Sequence, residues 1–130
     1  MQYLYTAVFT PFEDGTGYEA RIPDIPHCVT SGRDLPDALG MIADAASLML
    51  VDMEDAKAAI PEATQPQRFQ APEGGVTSLV CLDTDRYRML NDTRAVRKNV
   101  SIPAWMATMA ERRGVNCSQV LQDALRQMFS

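Results

Sequence analysis

Long apolar runs are missing from this chain of 130 residues: nothing in it approaches the ~20 residues a helix needs to cross a bilayer. The opening stretch, Met1 to Phe9, has no basic segment ahead of its apolar residues and no small-residue cleavage site. A secretory signal is therefore not expected, and the cytoplasm is the expected compartment. Histidine occurs once, at His27, which leaves too few soft ligands for a protein-only metal site. Cysteine occurs three times, at Cys28, Cys81 and Cys117, an odd number at wide spacing. That pattern argues against a disulfide framework and against a CxxC zinc site, so the three are expected to pack as small hydrophobes. Neither a metal nor a cofactor is expected.

Positive charge is scarce in most of the chain. Residues 1–92 hold 6 Lys and Arg against 15 Asp and Glu, a balance of −9, whereas residues 93–130 hold 6 against 2, a balance of +4. An acidic body suits a basic partner and a basic tail suits phosphate, so the asymmetry predicts two jobs and two domains, 1–92 and 93–130.

Tyr3 to Phe12 alternates bulky residues in a β-rich composition, Glu13 to Gly17 is turn chemistry, and Tyr18 to Ile22 returns as a second strand. Pro23-Asp24-Ile25-Pro26 cannot sit in a central strand; a short third strand follows around Cys28 to Thr30. Asp34 is a good N-cap and Pro36 is tolerable in a first helical turn. Leu35, Ala38, Leu39, Ile42, Ala45, Ala46, Met49 and Met53 then keep helical spacing, predicting a helix to about Ala58. Met41 and Leu48 fall off that stripe, exposed or at an interface. Residues 61–75 read as a loop, Val76 to Leu82 as a fourth, central strand, and Asp85 to Asp92 as a short helical turn. The body is thus β-β-β-α-β, an α+β sheet with a helix on one face.

The tail carries the sharpest pattern. Val96 to Ile102 reads as a strand stopped by Pro103 at a helix N1 position, with Val100 and Ile102 on one face and Arg97, Asn99 and Ser101 on the other. Met106, Met109 and Ala110 mark a first helix, which Gly114 ends as the C′ residue. Asn116 and Gln119 form a capping box for a second helix, Val115 and Val120 a hydrophobic staple, and Val120, Leu121, Ala124, Leu125 and Met128 its buried stripe. A lone strand and two short helices cannot hide these faces, so the simplest solution is a second copy pairing strand to strand.

Strand, helix, glycine turn and helix in this order resemble the ribbon-helix-helix family, whose two-stranded ribbon lies in the major groove. By that resemblance Arg97, Asn99 and Ser101 read base edges. The start of the second helix, Asn116, Cys117 and Ser118, clamps a phosphate with backbone N–H groups, and Arg94 and Lys98 add phosphate attraction.

The stretch Tyr18-Glu19-Ala20-Arg21-Ile22-Pro23-Asp24-Ile25-Pro26-His27-Cys28-Val29-Thr30-Ser31-Gly32, followed by Leu35 to Leu39, resembles the HicB antitoxin family, with His27 standing where the family usually has glycine. The resemblance implies a truncated RNase-H-like fold, a small basic HicA-type mRNA-cleaving toxin as partner, and repression of the chain's own operon through the tail. The acidic end of the long helix (Asp52, Glu54, Asp55) and the turn holding Asp24 and His27 are the candidate toxin contacts.

An enzyme is not expected. Asp24, Asp34, Asp37 and Asp44 are the available carboxylates, but two-metal chemistry needs several converging on one point. Asp34 has a capping role, Asp37 sits in a first turn and Asp44 lies on a polar helix face. His27 and Cys28 are adjacent, and their diverging side chains make a poor nucleophile–base pair. Two readings of different kinds follow: an antitoxin that represses its own operon as a homodimer or dimer of dimers, or an orphan regulator whose α+β body senses a ligand or aids assembly.

Overall fold

On Gln2–Pro11 (β1), Tyr5, Ala7 and Phe9 are buried on one face; on the other Leu4 is half exposed, although Thr6 is buried there too. The turn after it brings the chain back as Tyr18–Arg21 (β2), and the Phe12 N–H donates to the Gly17 carbonyl at 2.9 Å. Val29–Gly32 (β3) pairs with β2, and Val76–Asp83 (β4) pairs with β1. In the computed structural model, which describes residues 1–130, these strands form one antiparallel sheet of order β3-β2-β1-β4.

That order corrects one expectation, because β4 is an edge strand and not a central one. Its apolar second half is covered on one face only. Val80 and Leu82 are buried, whereas Leu79 is 50% exposed and Cys81 is also exposed. A run apolar on both faces reads as central, but here the second face is simply open.

The sheet's covered face packs on Leu35–Asp55 (α1), whose N-cap Asp34 accepts from the Asp37 N–H at 2.8 Å. Ala38, Ile42, Ala46 and Leu50 form the buried stripe of α1, while Leu39, expected within it, is 40% exposed. Met41 and Leu48 are exposed, as their spacing implied. Gly32 lets β3 approach the start of α1, because a Cβ there would collide with the Ala38 backbone. The helix ends at Asp55, short of the expected Ala58. Lys57 turns left-handed (φ 54°), and Lys57 and Ala58 donate to the carbonyls of Glu54 and Met53. That is a Schellman closure made without glycine.

Residues 61–75 hold one short 3-10 turn, Pro66–Arg68, and are tied down by side chains. The Tyr5 hydroxyl donates to the Pro61 carbonyl, and Thr64 donates to the Asp24 carboxylate from its N–H (2.8 Å) and its hydroxyl (2.6 Å). After β4 comes a two-turn helix, Thr84–Asn91 (α2), capped by Asp83. Of the cysteines only Cys28 is buried, and burial pushes its thiol up; Cys81 and Cys117 are exposed, against expectation.

The chain divides into two compact units, 1–94 and 95–130. The second unit contains Ala104–Arg112 (α3) and Cys117–Phe129 (α4). The stretch from Val96 to Ile102, expected as a strand, belongs to no ladder. A strand is defined by its partner, and one copy of the chain supplies none. The architecture is mixed α+β.

Candidate functional site

Nothing in the second unit is buried. Val96 is 86% exposed and Val100 60%, and Ile102, Met106, Met109, Val115 and Val120 are open as well. On α4 only Leu121 and Leu125 are partly covered. Its local geometry is nonetheless well specified. Pro103 accepts the first helical bond of α3 from Ala107 (3.2 Å) and so stands at N-cap, one position before the expected N1. At the other end Gly114 is left-handed (φ 65°), with Gly114 donating to Glu111 and Val115 to Ala110, a complete Schellman motif.

Asn116 caps α4 by accepting from the Gln119 N–H at 3.1 Å. The reciprocal half of the expected capping box is absent, because the Gln119 amide turns forward to Asp123 at 2.9 Å. The cap takes the third N–H of the helix and leaves those of Cys117 and Ser118 pointing out from its positive end. Such a terminus suits a phosphate oxygen.

Arg97, Lys98, Asn99 and Ser101 are all exposed on the extended stretch before α3, and neither Arg97 nor Lys98 is held in an ion pair. Arg94 is placed differently. It falls in the first unit and forms a two-pronged pair with Asp92, Nε to Oδ1 at 2.9 Å and Nη2 to Oδ2 at 3.0 Å. Those bonds hold the Asp92 carboxyl down at about 2 and raise Arg94, so this guanidinium is already partnered.

The acidic end of α1 is more connected than its sequence suggests. Glu54 accepts from the Tyr3 hydroxyl (2.7 Å), the Thr84 hydroxyl (2.9 Å) and Arg88 (3.1 Å), and Arg88 also reaches Asp55 at 2.9 Å. Burial works to raise the Glu54 carboxyl, but the bonds from Tyr3, Thr84 and Arg88 prevail and hold it below the usual range. The same contact pushes the Tyr3 phenol up to about 12. Of this acidic trio Asp52 alone is unpaired. The partners of Glu54 lie 30 to 51 residues away in the chain, so no local signal could have named them.

In the turn between β2 and β3, His27 is exposed and left-handed (φ 64°), and both Asp24 oxygens are taken by Thr64. Asp34 and Asp37 serve the start of α1, and Asp37 accepts from the Arg33 N–H at 2.9 Å. Asp44 is exposed. No three histidine, cysteine or carboxylate side chains converge as metal ligands would. No helix is long and apolar enough to cross a membrane.

Similar folds are known. A chain of a toxin–antitoxin complex from Streptococcus pneumoniae superposes with a TM-score of 0.60 at 23% identity, over 98% of this chain and 99% of that one. The antitoxin HicB of Burkholderia pseudomallei gives 0.56 at 21% identity over 98% and 99%, and the antitoxin HicB3 gives 0.53 at 21% over 97% of each. At such identities the likeness is one of fold. No curated protein matches in sequence. The family described as HicB-like antitoxin of bacterial toxin–antitoxin systems matches residues 5–124, nearly the whole chain, and this protein belongs to it.

Proposed function

We propose that this antitoxin, not itself an enzyme, binds and blocks a small basic HicA-type mRNA-cleaving toxin with its first unit. It represses its own operon by reading duplex DNA with its second. The observation that carries the second half is the tail's open apolar surface. A strand-length stretch and two well-capped helices leave Val96, Val100, Ile102 and the stripe of α4 in solvent. Faces of that size need a partner. A second copy, pairing strand to strand as a ribbon-helix-helix, would cover them and present Arg97, Asn99 and Ser101 together on one ribbon face. Cys117 and Ser118 would then lie at the backbone, with Lys98 adding charge.

The antitoxin half is supported by family membership and by the balance of −9 over residues 1–92, which complements a basic partner. The four-stranded antiparallel sheet with one long helix across a face supports reading this unit as a truncated RNase-H-like fold. Asp52 and His27, exposed and unpaired, are the contact candidates with free polar groups; Asp24, Glu54 and Asp55 would contribute through charge.

The test is inhibition. The reading frame adjacent to this chain's gene is expected to encode a small basic toxin, which should cleave RNA alone and stop when this chain is added at one-to-one ratio. Undiminished cleavage would reject the toxin-blocking role.

A further inference from the structure

We infer that the free edge of β4 is where this chain takes its basic partner, accepting an extended strand of that partner as a fifth strand of the sheet. Naming the partner as the toxin rests on the function proposed above. β4 pairs with β1 alone. The phase of its hydrogen bonds is fixed by two contacts. Thr84 N–H donates to the Met1 carbonyl at 3.0 Å, continuing the β4–β1 register, and Phe12 N–H donates to Gly17 on the opposite side of β1. Bonding alternates along an antiparallel strand. The even-numbered residues of β4 therefore address β1, while Thr77, Leu79 and Cys81 direct their N–H and C=O groups outward.

Sheet edges are ordinarily blunted by short length, lysine, proline or a bulge. The opposite edge, β3, is blunted by its length of four residues. β4 runs eight residues without lysine, proline or glycine, and its register with β1 is unbroken from Gln2–Asp83 to Phe9–Val76. Two separate hollows lie beside it. Phe9, Leu39 and Val76 line one, and Ala43, Ser47 and Leu82 line the other together with Tyr87 and Leu90 of α2. Leu39, Ala43 and Ser47 form one row of α1, four residues apart, so both hollows lie on the same side of the strand. An added strand would drop alternate side chains into those hollows and lay the others beside Leu79, the geometry of strand addition.

Charge selects the occupant. The charged groups of these hollows all line the second, two carboxylates (Asp44 and Asp83) against one Arg86, on a body whose balance is −9 over residues 1–92. Two such edges brought together would repel, whereas a basic strand is attracted.

The test is amide exchange by NMR on the full chain, alone and with the toxin of the adjacent reading frame carrying an inactivating substitution. Thr77, Leu79 and Cys81 should exchange fast in the free protein and slow by about 100-fold or more in the complex, while Ser78, Val80 and Leu82 are slow in both. Cys81→Pro removes an outward donor without touching the β1 ladder. It should weaken toxin binding by about tenfold or more and leave binding of the operon's promoter duplex unchanged. Toxin bound with the odd-numbered amides still fast would overturn the inference, as would protection of those amides in the concentrated chain alone, which would assign the edge to a second copy. No toxin binding by the unaltered chain would instead reject the function proposed above, and this occupant with it. Should Cys81→Pro not fold, the exchange pattern of the unaltered chain decides alone.

Discussion

His27 and Lys57 hold left-handed backbone with side chains that disfavour it, φ 64° and 54°. A residue with a Cβ costs about 1–2 kcal/mol there and glycine does not. His27→Gly and Lys57→Gly should each stabilise the first unit by about 1 kcal/mol, seen as a rise in its unfolding midpoint. A fall at His27 would mean that the side chain holds the turn together. Glu54 makes the opposite case, a residue whose value lies in its partners. Its carboxyl is held low in the folded chain, so its contribution is complete above the ordinary glutamate value and lost as pH falls through the folded one. Tyr3 is raised, so its share is complete below the ordinary tyrosine value of about 10 and fades as pH rises through about 12. Glu54→Gln should cost about 1–3 kcal/mol at neutral pH and remove part of the acid limb of the stability profile. An unchanged acid limb would mean that Glu54 keeps its ordinary pKa.

Elements with local signals were legible. Gly114 and Asn116 end one helix and start the next where their chemistry requires, and Asp34 caps α1 as its position implied. What depends on distant partners was not. β4 looked central because Leu79 and Cys81 extend its apolar run, yet only pairing decides which strand lies at an edge. The end of α1 was overrun because Lys57 replaces the expected glycine signal. At the candidate site, Arg97, Asn99 and Ser101 are exposed, but so are Val96, Val100 and Ile102, so one copy of the chain does not distinguish the two faces; the engagement of Arg94 by Asp92 and of Asp24 by Thr64 carried no local signal. Gly114→Ala should cost the tail about 1 kcal/mol through its left-handed φ alone, since a Cβ there meets nothing within 4 Å. Concentration-dependent unfolding of the tail is the readout. Arg97→Ala should cost about 1–3 kcal/mol in specific duplex binding and leave toxin binding unchanged; equal loss of both would indicate a folding defect.

Across the whole molecule, charge and burial divide along the same line. The first unit holds the buried core and the acidic excess, and the second holds the basic excess and buries nothing. A unit without a core of its own should owe its order to a second copy. The helical content of α3 and α4 should fall on dilution as copies separate, and a constant content over a wide dilution range would speak against exchange between single and paired chains. The most direct test of the two-job account is binding of the full chain to the duplex upstream of its own gene, titrated across salt. Preference for that duplex over random DNA, with affinity falling steeply as salt rises, is the predicted result. Equal binding to both at every salt would contradict it, leaving the tail an assembly device and the account with one job in place of two.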